Sequence, residues 1–65
     1  MAGNSTSAFF ENYIPMSELL DVLRQQYSRY TVYRWVQQGM PHKRLGGKLW
    51  FHKEEVLRWL EREYS

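Results

Sequence analysis

The residues with the clearest chemical potential are basic, and they are concentrated in the middle of the sequence. Between Val22 and Phe51 the chain has six lysines and arginines and no aspartate or glutamate, and Lys53 follows just beyond. All seven acidic residues lie outside this block. The formal net charge is only +2, but separating the charges along the chain creates a local positive field that the sum conceals. Such a field suits a polyanionic ligand.

Other kinds of chemistry find little support in the residue types and their spacing. The chain has no cysteine, and His42 and His52 are its only histidines, so we expect no zinc site and no other metal site. We expect His52 to cap a helix and His42 to lie at the base of a hairpin. The sequence shows no paired carboxylates suited to a cleft, no nucleophile spaced from a base and no phosphate-cradling glycine loop. We therefore expect neither enzymatic activity nor a cofactor.

Length and composition predict one small folded domain. The chain has 65 residues, of which 43% are hydrophobic and 17% aromatic, and a domain of this size buries only about 60% of its unfolded surface. No apolar run reaches the roughly 20 residues that span a membrane, and no signal peptide is evident. With no cysteine to form a disulfide, we expect a cytoplasmic protein. We expect residues 1–12 to form a flexible arm, residues 13–65 to form the domain, and residues 9–14 to lie against it in an extended conformation.

Two helices are predicted ahead of and within the basic block. Apolar residues from Met16 to Leu23 recur at the i, i+3, i+4, i+7 spacing of one helix face. We expect this first helix to end near Gln25 or Gln26, although the glycine that would give a clean stop is missing.

The second predicted helix carries most of the candidate binding residues. Ser28 suits its N-cap, and Gly39 suits its end. At 100° per residue, Val32, Trp35 and Val36 point to one side, so we expect them in the core. The other side carries basic, aromatic and polar side chains and is free to bind a ligand.

A β-hairpin is predicted next, because Gly46 and Gly47 separate two strand-like runs. A two-residue loop would pair Leu45 with Lys48 and would place Leu45 and Leu49 on opposite faces. A three-residue loop that includes Lys48 would pair Leu45 with Leu49 and place both on one face.

We favour the three-residue loop, because it gathers Leu45 and Leu49 with Phe51 on one buried face. It also leaves Arg44 and Trp50 on the outer face and Lys48 at the tip, and we expect Trp50 to pack under a third helix. That helix is predicted to start at His52 or Lys53. Its inward stripe is predicted to consist of Val56, Leu60 and Tyr64, with Trp59 alongside.

The order helix, turn, helix, hairpin, helix is that of a small winged-helix domain, which is an α+β fold and mostly helical. The residues themselves resemble the excisionase-like and MerR-type winged-helix DNA-binding domains. The resemblance covers about Ile14 to Glu61 and is carried by residues 31–36 (TVYRWV), Gly39, the two hairpin glycines, residues 51–52 (FH) and residues 56–60 (VLRWL). The chain departs from the family where Gln25, Gln26 and Tyr27 replace the usual glycine-containing turn between the helices.

This resemblance implies binding to double-stranded DNA, with the second helix in the major groove and the hairpin, or wing, on a neighbouring groove. The recognition-helix residues would be Ser28, Arg29, Tyr30, Thr31, Tyr33 and Arg34, and the wing residues would be Lys43, Arg44, Gly47 and Lys48. The implied function is that of an excisionase, a recombination directionality factor that binds and bends attachment-site DNA so that an integrase can excise it. An integrase and further copies of the chain on DNA are then possible partners.

Two other functions stay open at this point. One is a small prophage-type transcriptional regulator, and the other is a protein-interaction module that uses Phe9, Phe10 and Trp50.

Single residues also have alternative roles. Arg34 could be a surface arginine paired with Glu18 or Asp21. We favour DNA contact for Arg34, because arginine pairs bidentately with guanine. Lys48 is either a phosphate clamp or a turn residue, and we favour the clamp.

Overall fold

A computed structural model describes residues 9–64. Its elements are β1 (Tyr13–Pro15), α1 (Met16–Val22), α2 (Arg29–Gln37), β2 (Lys43–Leu45), β3 (Lys48–His52) and α3 (Lys53–Tyr64). The strands form one antiparallel sheet in the order β1-β3-β2. The fold is the predicted small winged helix, in which β2 and β3 are the wing. No helix within residues 9–64 has the length and apolar character to cross a membrane.

The core lies between the three helices and one face of the sheet. Its buried members are Met16, Leu19, Leu20, Val32, Trp35, Met40, Phe51, Val56 and Trp59. This confirms the predicted inner faces of the first two helices. In α3, Val56 is fully buried and Leu60 packs against the core, but Tyr64 is 63% exposed. The prediction that the Tyr64 ring points inward is therefore wrong. The ring lies at the edge of the core, with its centroid 6.3 Å from that of Trp35, and its hydroxyl accepts a hydrogen bond of 3.1 Å from Nε1 of Trp35.

The first helix ends earlier than predicted, because the chain reverses without a glycine. The amide of Arg24 donates to the carbonyl of Asp21, and the amide of Gln25 donates to the carbonyl of Leu20, both at 2.9 Å. This pair of bonds is a Schellman motif, in which the residue after the C-cap is left-handed. Arg24 and Gln25 have φ angles of 59° and 56°. The prediction that the helix reaches Gln25 or Gln26 is wrong, because a non-glycine residue takes the left-handed position.

The second helix has the predicted limits. It begins after the N-cap Ser28 and ends in another Schellman motif. Here the amide of Gly39 donates to the carbonyl of Val36 and the amide of Met40 donates to the carbonyl of Trp35, each at a distance of 3.1 Å. Gly39 has a φ of 112°, which a residue with a Cβ rarely adopts.

The hairpin turns over two residues, so the predicted three-residue loop is wrong. Leu45 pairs with Lys48, which leaves only Gly46 and Gly47 in the loop. Both have positive φ, at 62° and 80°, as a type I′ turn requires at its two central positions. The physical reason is that the twist of this turn matches the twist of the strands, and adjacent glycines adopt it with little strain.

This shorter loop exchanges the faces of the first wing strand. Arg44 pairs with Leu49 and lies on the face that carries the buried Phe51. Leu45 points to the other face and is 45% exposed. The predictions of a buried Leu45 and an outward-facing Arg44 are therefore both wrong. Lys48 is the first residue of β3 rather than the tip of the loop.

The histidines lie where they were predicted to lie. Nδ1 of His52 accepts a hydrogen bond from the amide of Glu55 at 3.4 Å, so this side chain caps α3. Nδ1 of His42 lies 2.9 Å from the carbonyl oxygen of Met40, just before β2, and donates to it.

The N-terminal segment is partly helical, whereas an extended conformation was expected. Residues 9–12 are helical, and only Tyr13–Pro15 is extended. The ring centroids of Phe9 and Phe10 lie 5.9 and 5.0 Å from that of Trp50. Trp50 therefore packs against this segment, on the outer face of the wing, rather than under α3. The first eight residues of the predicted flexible arm lie outside the described part of the chain.

Candidate nucleic-acid interface

An open groove of about 520 Å³ separates the recognition helix from the wing. Three of its lining residues are basic, namely Arg29 from α2, Arg44 from β2 and Lys48 from β3. None of the described residues that line it is acidic. The groove therefore collects positive charge from three elements that lie apart in the sequence.

This charge has no ion-pair partner in the described part of the chain. Arg29, Arg44 and Lys48 are exposed, and none of them makes an ion pair within residues 9–64. Exposed cations of this kind can neutralise the phosphates of a polyanion and so release the counterions condensed on it. The groove is consequently suited to a phosphate backbone.

One stripe of the recognition helix forms its side of the groove. Arg29, Tyr33 and Gln37 all line it, and they follow one another at intervals of four residues, which places them on one helix face. Gln37 was not among the predicted site residues, although its spacing from Tyr33 could have indicated it. Ser17, which also lines the groove, comes from α1 and has no comparable signal in the sequence.

The start of the recognition helix is held by two hydroxyl groups. Oγ of Ser28 accepts a hydrogen bond of 3.2 Å from the amide of Thr31, and it lies 3.1 Å from Oγ1 of Thr31. Both residues were predicted to contact a ligand. Their contacts in the folded chain explain how α2 begins and thus how Arg29 is positioned.

Two predicted residues lie on α2 but outside the groove. Tyr30 is 70% exposed, and Arg34 is exposed as well. The alternative in which Arg34 pairs with Glu18 or Asp21 is not seen, since Arg34 makes no ion pair in the described part of the chain. The Asp21 carboxylate instead accepts a hydrogen bond from the side chain of Gln25.

The structure thus divides the predicted site residues into two sets. Those in the groove are Arg29, Tyr33, Arg44, Gly47 and Lys48. Those outside it are Ser28, Tyr30, Thr31, Arg34 and Lys43. Lys43 pairs with Trp50 in the sheet and lies on the outer face of the wing.

Comparison with known proteins places this geometry in a family. Residues 16–64 match the family model of a helix-turn-helix domain. Comparisons with curated proteins and with solved structures gave no match. The matched residues cover more than half of the chain and include α1, α2, α3 and both strands of the wing. The chain therefore belongs to the helix-turn-helix domain family, and this membership supports DNA binding.

Proposed function

We propose that this protein binds specific sites on double-stranded DNA and acts as an excisionase, without catalysis of its own. The observation that carries the DNA-binding part is the groove, because Arg29, Arg44 and Lys48 line it and none of them has an acidic partner among residues 9–64. The finer role rests on the resemblance of residues 31–36 and of the wing to excisionase-like domains. An excisionase bends attachment-site DNA so that an integrase can excise the element.

In the proposed complex, α2 enters the major groove, which is wide enough for one helix. The wing then reaches the neighbouring groove, so that the sugar–phosphate strand between the two grooves lies between α2 and the wing. Arg29, Arg44 and Lys48 contact its phosphates, and these contacts position the protein. Arg34, on the exposed side of α2, contacts a base edge and contributes specificity.

A single module of this size makes few base contacts and should bind weakly. Specific occupancy therefore requires repeated sites, contact between copies on the DNA, or an integrase bound nearby. Each of these supplies a second binding event at high effective concentration. We also propose that the protein acts in the cytoplasm.

DNA binding is tested by fluorescence anisotropy on a mixed-sequence duplex at several salt concentrations. If the protein makes about six phosphate contacts, log K should fall with log salt at a slope near −5. Replacing Arg44 or Lys48 by alanine should weaken binding and make the slope less negative by about 1. Arg58→Ala is the matched control, because Arg58 is an exposed arginine on α3 outside the groove. Binding that ignores salt, or equal losses from Arg44→Ala and Arg58→Ala, would refute the proposal and favour a protein-interaction module.

The finer role is tested by recovering bound fragments of genomic DNA. An excisionase should enrich sequences at the attachment sites of a mobile element, and those duplexes should bend on binding, as fluorescence energy transfer between their ends would show. Enrichment of promoter sequences without bending would instead identify a transcriptional regulator.

A further inference from the structure

Four aromatic rings form a cluster on the outer face of the wing. The cluster consists of Phe9, Phe10, Tyr13 and Trp50. Phe9 stacks on Tyr13 at 4.6 Å and meets Phe10 edge to face at 5.2 Å. Both phenylalanines contact Trp50 edge to face. Trp50, a residue of the central strand, is thus covered by the N-terminal segment.

Trp50 connects this cluster to the binding residues of the wing. It pairs with Lys43 across the sheet, and its Nε1 donates a hydrogen bond of 3.3 Å to the carbonyl oxygen of Leu45. Arg44 lies between these two residues, so that Trp50 contacts β2 on both sides of the arginine that faces the groove.

The wing needs such support because its outer strand is held weakly. All three residues of β2, Lys43–Leu45, are exposed, and an isolated two-stranded hairpin is marginally stable in water. β1 adds a third strand on the other edge of β3, where Ile14 pairs with Phe51. Residues 9–15, which supply both β1 and the ring cover, lie before the family match that begins at residue 16.

We propose that residues 9–15 are a support that holds the wing in its DNA-binding position, with Phe9 and Phe10 as positioning residues that act through Trp50. This proposal rests on the proposed function. A wing that is ordered before binding loses less conformational freedom when it meets DNA, so the support raises affinity without touching the ligand. If this proposal holds, loss of the Phe9 and Phe10 rings weakens only the DNA contacts that the wing makes.

The test is a double-mutant cycle measured by anisotropy on the full chain at low salt. Phe10→Ala should weaken duplex binding by about 3- to 10-fold, the range that corresponds to its aromatic pair with Trp50. In the Arg44→Ala background the same change should cost a smaller factor than in the wild type, because the Arg44 contact is already lost and only the Lys48 contact of the wing remains. In the Arg34→Ala background it should cost its full factor, because Arg34 lies on α2. Phe10→Tyr, which keeps the ring, should restore the wild-type affinity.

A matched control separates this role from general destabilisation. Tyr27 is as exposed as Phe10, at 47%, and its ring lies 5.0 Å from Trp35, edge to face, as the ring of Phe10 lies 5.0 Å from Trp50. Tyr27→Ala removes an equivalent contact away from the wing, so any loss of affinity should be the same with or without Arg44. If Phe10→Ala fails to fold, as judged by circular dichroism, Phe10→Leu replaces it in the cycle under the same criteria.

The outcomes are distinct. The support proposal is overturned if Phe10→Ala binds the duplex with wild-type affinity. It is also overturned if Phe10→Ala lowers the affinity by the same factor with and without Arg44. Both results leave the proposed DNA binding intact. If the wild-type chain binds no duplex, the proposed function fails and the support proposal fails with it.

Discussion

Replacing Arg24 by glycine should stabilise the domain. Arg24 takes the left-handed position of the Schellman motif that ends α1, at a φ of 59°. Its amide and the next one make the two hydrogen bonds of the motif, and glycine would keep both. Because the Cβ of an L-residue crowds the following carbonyl in this conformation, the strain of the folded state would fall.

The size of the gain follows from two opposing effects. Removing the Cβ relieves about 1–2 kcal/mol of left-handed strain. Glycine also gives the unfolded chain more freedom, which costs about 0.4–1 kcal/mol. From the middle of these ranges, the free energy of unfolding should rise by about 0.8 kcal/mol, and the melting temperature by about 3–6 °C in a domain of this size.

The assay is urea and thermal unfolding followed by circular dichroism, with Arg24→Ala as the control. Alanine removes the same charge but keeps the Cβ, so this variant should gain nothing. The α2 motif supplies the reverse test, because Gly39 has a φ of 112° and a Cβ built there meets no atom within 4 Å. Gly39→Ala should therefore cost at least about 1 kcal/mol through the backbone alone. Equal stabilities for Arg24→Gly and Arg24→Ala would refute the reasoning.

Substitutions at three further positions have expected effects on stability that urea unfolding can measure. Tyr64→Phe removes the acceptor for Nε1 of Trp35 and should cost about 1 kcal/mol; no loss would mean that water replaces the hydroxyl. Gly46→Asn should be nearly neutral, since asparagine suits the first position of a type I′ turn, whereas Gly46→Val should cost more than about 1 kcal/mol. Similar values for the two would argue against that turn. His52→Ala should cost about 0.5–1 kcal/mol by removing the α3 cap, and His52→Asn should recover it.

The sequence was sufficient to predict the elements that depend on local signals. Ser28 and Gly39 mark the two ends of α2, because each residue type supplies what a helix end needs. Two adjacent glycines located the hairpin turn for the same reason. The helix that carries Arg34, and the core face behind it, follow directly from these limits and from helical periodicity.

Features that depend on tertiary contacts escaped prediction. The end of α1 uses Arg24 and Gln25 in left-handed conformations, which neither residue type signals. Phe9 and Phe10 lie in a helical turn because their rings pack on Trp50, and that partner is distant in the sequence. The groove was missed as a single feature for the same reason, since its two walls come from α2 and the wing.

The hairpin loop shows how a small local error reaches the binding site. Side chains alternate along a strand, so changing the loop by one residue exchanges the faces of β2 relative to β3. With a two-residue loop, Arg44 pairs with Leu49 and lines the groove. With a three-residue loop, Arg44 would lie on the outer face beside Trp50, and the exposed Leu45 would take the groove-facing position. Gly46 and Gly47 therefore determine which side chain of β2 faces the recognition helix. Without the two-residue turn that they form, Arg44 would not line the proposed phosphate site.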